Sequence, residues 1–157
     1  MQPDLETLFA VEDALEKAWC DILAGHGIAA VHEFSDRLLD TPRVEVAVRQ
    51  LAPTGHRGEY APGQFCFDAW QGQMISRVVT VRGRNSAAQN PILGRLRLEA
   101  QYFRDRFGVG ILPHHCLTSI AESGLVRYID DENGYDISEL SHAVHVSIRP
   151  GAWPALG

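Results

Sequence analysis

The chain has 157 residues, 45% of them hydrophobic, and its 20 acids against 14 bases give a net charge of −6. That length and apolar share suit one core needing neither disulfides nor metals. The acidic balance argues against a general nucleic-acid binder, which neutralises phosphates with surplus positive charge. No stretch approaches the roughly 18–20 unbroken apolar residues of a membrane helix, and the acidic start Met1-Gln2-Pro3-Asp4-Leu5-Glu6 is unlike a secretory leader, so a cytosolic product is expected.

Residues 4–24 carry Leu5, Leu8, Val11, Leu15, Ala18, Trp19 and Ile22 at three- and four-residue spacing, which predicts an amphipathic helix. Asp4 is its expected N-cap and Gly25-His26-Gly27 its stop. Ile28–Phe34 reads as a short strand. Arg43–Gln50 reads as another, because Val44, Val46 and Val48 alternate with Glu45, Ala47 and Arg49. Glycines and prolines make residues 51–64 an expected mobile loop. The apolar run Phe65–Arg82 contains Gly72, which suggests a bulge or hairpin turn, and 73–82 reads as a strand closed by the turn Gly83-Arg84-Asn85-Ser86.

A second helix is expected from Pro91 to a stop at Gly108, burying Leu93, Leu96, Ala100, Phe103 and Phe107 with its arginines off that stripe. A shorter helix is expected from Pro113 to Glu122, burying Cys116, Leu117 and Ile120. Leu125–Ile129 and His142–Ile148 predict a hairpin turning through Asp130–Gly134. The expected fold class is α+β: a mostly antiparallel sheet with an N-terminal helix and a central helix pair packed on it. One domain is expected over 1–157, with a loose tail at about 150–157.

The charge is uneven along the chain. Residues 1–40 balance to −7, 41–112 to +5 with ten arginines, and 113–157 to −4. Such blocks either form complementary faces between copies or interleave in the fold and cancel. Three scattered cysteines, Cys20, Cys66 and Cys116, include no CxxC and read as reduced, buried thiols.

Little points to chemistry. His114-His115-Cys116 on a helix would fan about 100° apart per residue, too far to share one metal. His142 and His145 would sit on opposite strand faces, with His26, His32 and His56 scattered elsewhere. Asp130-Asp131-Glu132-Asn133-Gly134 lacks calcium-loop spacing and reads as a turn. Trp19 and Trp70 lie on apolar stripes and read as core. Gly83-Arg84-Asn85 lacks the lysine and later glycines of a phosphate loop. The reading is therefore no catalytic residue, no metal and no cofactor. A metal-dependent hydrolase using His114 and His115, and an unrelated binding module, are the alternatives from other classes.

The element order, together with Pro42-Arg43-Val44-Glu45-Val46, Asp68-Ala69-Trp70-Gln71-Gly72 leading into 74–82, Asn85, the Arg-rich helix, Leu112-Pro113-His114-His115 with its short helix ending Glu122-Ser123-Gly124, and the closing strand, resembles the tail terminator or tail-completion proteins of long-tailed bacteriophages. The likeness spans roughly residues 5–148 and is one of layout. It implies a virion protein, assembled in the host cytoplasm, forming a homo-oligomeric ring, a hexamer in that family, at the head-proximal end of the tail. Such a ring stops tube polymerisation, meets the tail tube protein and the head-closure or connector protein, and lets DNA pass through its lumen. It has no membrane partner. Another head–tail connector or tube-associated protein is the nearest alternative. An acidic lumen would let a duplex slide. Loops 51–64 and 83–90, or the free edge expected of Phe65–Arg82, would reach neighbouring subunits.

Overall fold

The computed structural model describes residues 5–33, 40–53, 58–61, 64–66, 69–83, 85–107 and 115–148. The chain order is α1 (Leu5–Gly25), β1 (Ala30–His32), β2 (Arg43–Pro53), β3 (Gly58–Ala61), β4 (Gln64–Cys66), β5 (Ala69–Val81), α2 (Asn85–Phe107), β6 (His115–Asp130) and β7 (Tyr135–Ile148). The main sheet has the order β1-β2-β5-β7-β6, antiparallel except for the β1–β2 pair, and β3–β4 forms a separate two-stranded ribbon. The class is α+β, as the sequence predicts.

The α1 stripe buries Val11, Leu15, Trp19, Ile22 and Leu23. Its stop is a left-handed cap: Gly27 has φ +76°, Gly27 N donates to Ala24 O, and Ile28 N donates to Leu23 O, both at 3.0 Å. The Asp4 cap lies outside the described residues, as do Gly108, Pro113, His56, His114 and the tail from 150. The side chains of Leu5, Leu8, Phe107, Cys116, Leu117 and Ile148 do so too.

Alternation along each strand sends Val44, Val46 and Val48 of β2, Met74 and Val78 of β5, and Leu140, Val144 and Val146 of β7 into one core with α1. From α2 come Leu93, Leu96, Ala100 and Phe103. Each such side chain contributes about 1.5–3 kcal/mol on burial. Trp19 ties the layers together. Its ring meets Phe103 edge-on at 5.1 Å, and its Nε1 donates to Ser76 Oγ at 2.9 Å, so the largest core residue leaves no polar atom unpaired.

Five expectations are corrected. The helix expected at 113–122 is strand: from His115 onward the chain is β6, and the helix pair is the single helix α2. That helix begins at Asn85 rather than near Pro91, which lies inside it. The carbonyl facing the proline's missing N–H is that of exposed Ala87, so water can satisfy it. Gln89 anchors this added turn, its Nε2 donating to Asp136 O at 2.9 Å and Thr80 Oγ1 at 3.0 Å. The 83–90 loop is thus largely helix.

The 51–64 loop is replaced by the end of β2 and the β3–β4 ribbon. The bulge suggested at Gly72 lies opposite it, in β2 between Arg49 and Ala52, where Gln50 has φ +59°. Gly72 is needed because a Cβ there would sit 2.8 Å from Leu51 Cα. Finally, β5 is central, between β2 and β7, so Phe65–Arg82 offers no free main-sheet edge. That edge belongs to β6.

Candidate assembly surface

Among the described strands β6 is the 16-residue outer strand of the sheet, paired on one side only, with β7. Its outer half carries Leu125, Val126, Tyr128 and Ile129 exposed in near succession, Val126 at 59% and Ile129 at 52%. Register sets Leu125 opposite Leu140 and Ile129 opposite Asp136 on the helix side, and Val126 and Tyr128 opposite Glu139 and Ile137 on the far side. Apolar groups thus flank an unpaired backbone edge on both faces. Edge strands ordinarily avoid this by being short, charged or covered.

The opposite edge is short, and the β2 backbone beyond it is capped. β1 is three residues long. Where it ends, Glu33 N donates to Val46 O at 2.9 Å, and Val48 N donates to Glu16 Oε1 of α1 at 2.8 Å. The other Glu16 oxygen lies 2.7 Å from His32 Nδ1. A helix carboxylate therefore takes the amide that a longer β1 would have paired.

The sheet face away from the helices carries a belt of charge. Arg49 and Arg77 both reach Glu33 Oε1, Arg77 at 3.4 Å. Arg77 Nε also donates to Glu139 Oε1 at 2.8 Å, which accepts from Tyr128 Oη at 2.9 Å. Burial works against the Arg77 charge, yet the Glu139 hydrogen bond and its neighbours hold the guanidinium above its usual pKa. Burial and the same carboxylate push the Tyr128 phenol up. Beside the belt, a hollow of about 670 Å³ is lined by residues including Arg43, Tyr128, Asp130 and Tyr135, with the Arg43 guanidinium 5.1 Å from the Tyr135 ring centroid.

The charge blocks interleave. Among the described side chains of 41–112, Arg43 pairs with Glu45, Arg49 with Glu33, Arg77 with Glu33 and Glu139, Arg82 with Asp131, Arg95 with Glu99 and Arg97 with Glu122. Acids from both ends of the chain pair with Arg49, Arg77, Arg82 and Arg97, and acids of the middle block with Arg43 and Arg95, which leaves no arginine face among these six.

The described histidine side chains do not converge. His142 is buried with its ring 6.2 Å from that of Trp19, and His145 lies 3.0 Å from Ser119 Oγ across the β6–β7 pair. His26 Nε2 is 2.7 Å from Glu99 and His32 is held by Glu16. His115 opens β6, away from these. His142 Nδ1 has no hydrogen-bond partner, and burial pushes its pKa below 6.5. Glu122 and Arg97 line the adjoining hollow of about 380 Å³ and pair with each other at 2.6 and 3.0 Å.

At the hairpin tip, Asp130 Oδ1 and Oδ2 accept from Asn133 N at 3.2 Å and Asn133 Nδ2 at 2.9 Å, and Gly134 takes φ +73°. The carboxylate serves the turn. Burial pushes the Cys20 thiol up to about 12, leaving it a small hydrophobe. No group of three or more His, Cys, Asp or Glu suited to a metal occurs among the described residues, and no described helix is long and apolar enough to cross a membrane.

The sequence reading missed the two features that define this surface, the β6 edge and the Glu16 cap. Edge status follows from strand order, and no local pattern announces it. No protein-family model matches the chain, and no curated protein does.

Proposed function

We propose that this chain is a structural, non-catalytic subunit of a long-tailed phage particle: a tail terminator. It assembles into a hexameric ring at the head-proximal end of the tail, stops tube growth and docks the head-closure protein. What supports the reading is the β6 edge, paired on its inner side with β7 and flanked by exposed Val126, Tyr128 and Ile129, on a sheet whose other edge is the three-residue β1. Closed rings need a heterologous contact, in which one surface meets a different one on the next copy. A subunit with two unlike sheet edges supplies that asymmetry. The N-terminal helix, the sheet and the arginine-bearing α2 also follow the layout on which the family resemblance rests. A net charge of −6 suits a lumen through which DNA slides.

Light scattering across a concentration series tests the assembly. The expected species has about six times the 17.4 kDa subunit mass. A second arm separates a terminator from another connector. Substoichiometric chain added to polymerising tail tube protein should shorten the tubes, and tubes of unchanged length would count against capping.

A further inference from the structure

In a heterologous ring, which is the reading this inference rests on, the β6 edge must meet a different element of the next subunit. The described strands leave few choices. β2, β5 and β7 are paired on both sides, and β1 is three residues long with the Glu16 carboxylate filling the position beyond it. Apart from the three-residue outer side of β1, the described strands with unpaired edges besides β6 are β3 and β4. They pair only with each other, through Gly58–Cys66, Glu59–Phe65 and Ala61–Gln64, and stand outside the main sheet. An isolated two-stranded ribbon of this size is marginal in water and gains from a third strand.

The ribbon's position also fits. It interrupts the β2–β5 hairpin between Pro53 and Ala69, which makes it an arm at one end of the sheet. Half of that insertion, extended at about 3.3 Å per residue, reaches roughly 20 Å. Five strands at about 4.8 Å spacing are of similar width. The arm is therefore long enough to cross to an adjacent copy.

We propose that the β3–β4 arm of one subunit adds as strands to the β6 edge of the next. Each copy gives an arm at one side and receives one at the other. The exposed pairs Val126 with Tyr128 and Leu125 with Ile129 would then flank the incoming strand on the two faces.

Two measurements test this. Pro53 and Trp70 already pair across the hairpin, so residues 54–69 can be replaced by Asn-Gly as a two-residue turn. The armless chain is expected to unfold at the same denaturant concentration as the parent and to remain monomeric where the parent forms rings. In the unaltered chain, hydrogen exchange followed from dilute to assembled protein should slow about tenfold or more in 58–66 and 115–130 together. Armless rings of normal mass, or arm amides whose exchange is unchanged on assembly, would overturn the arm contact and leave the ring standing. A parent chain that stays monomeric at every concentration, or forms only dimers through β6 against β6, would overturn ring and arm alike.

Discussion

Three single residues carry more structural consequence than their neighbours. Glu16 satisfies a strand amide from a helix, and Glu16→Ala strips that amide of its acceptor. The expected loss is about 1–3 kcal/mol in denaturant unfolding, and a change within error would mean water replaces the carboxylate. Gly72→Ala drives a methyl into Leu51 Cα at 2.8 Å, Leu51 N at 3.0 Å and Arg49 O at 3.1 Å, all backbone atoms unable to swing aside. About 1–3 kcal/mol of destabilisation is expected, with the β2 bulge displaced.

His142 supplies a pH signature. Burial is the main cause that lowers its pKa below 6.5, with Glu122 opposing and Arg97 adding to the shift. The unfolded chain takes the proton more readily than the folded one, so this contribution is complete above pH 6.5 and declines as the pH falls below it. Unfolding of His142→Phe, measured between pH 6.5 and about 5, should show a flatter pH dependence than the parent, before ordinary carboxylates titrate. An unchanged slope would place the titration elsewhere.

Elements differ in how plainly the sequence announces them. α1 follows its period of 3.6, and β2 follows its period of 2 from Arg43 to Arg49, ahead of the bulge, so pattern and structure agree there. β6 does not: register shifts between Leu117 and Ser119 and between Glu122 and Gly124 break its alternation. Cys116, Leu117 and Ile120 consequently show the three- and four-residue spacing of a helix. A local pattern cannot distinguish a helix from a strand with two bulges, and pairing along the full length of β7 decides it. The start of α2 was hidden for a related reason. Pro91 mimics a first turn, and the residue that extends the helix, Gln89, is held by Thr80 and Asp136, remote in the sequence.

The edge itself is testable at this scale. Lysines at 126 and 129 would face Glu139 and Asp136 across the pair, so the double variant Val126→Lys, Ile129→Lys should keep the parent's unfolding midpoint. A lysine-flanked edge resists strand addition, and self-association measured by light scattering should weaken at least about tenfold. Rings of parental affinity would remove β6 from the interface.

At the scale of the molecule, the intrachain ion pairs bear on how copies meet. With the described arginines of the middle block engaged inside the chain, the proposed assembly would rest on backbone pairing and apolar contact. Raising salt from about 0.05 to 0.5 M shortens electrostatic reach to a few Å, yet the midpoint of assembly should move little. A steep loss with salt would instead point to charge between subunits.

Taken by itself, the sequence determined the α+β class, the α1 stripe, the β2 alternation and the turn of the closing hairpin, whose second arm begins at Tyr135 and not at His142. Those are local periods and turn residues, written in the order in which they are used. The tertiary structure decided what depends on neighbours far along the chain: that β5 is interior and β6 is edge, that Glu16 caps β2 beyond the other edge, that Gly72 admits a bulge from β2, and that the charge blocks cancel. Strand order and pairs such as Glu16 with Val48 or Arg77 with Glu139 join residues dozens of positions apart, and no short window of sequence contains both partners.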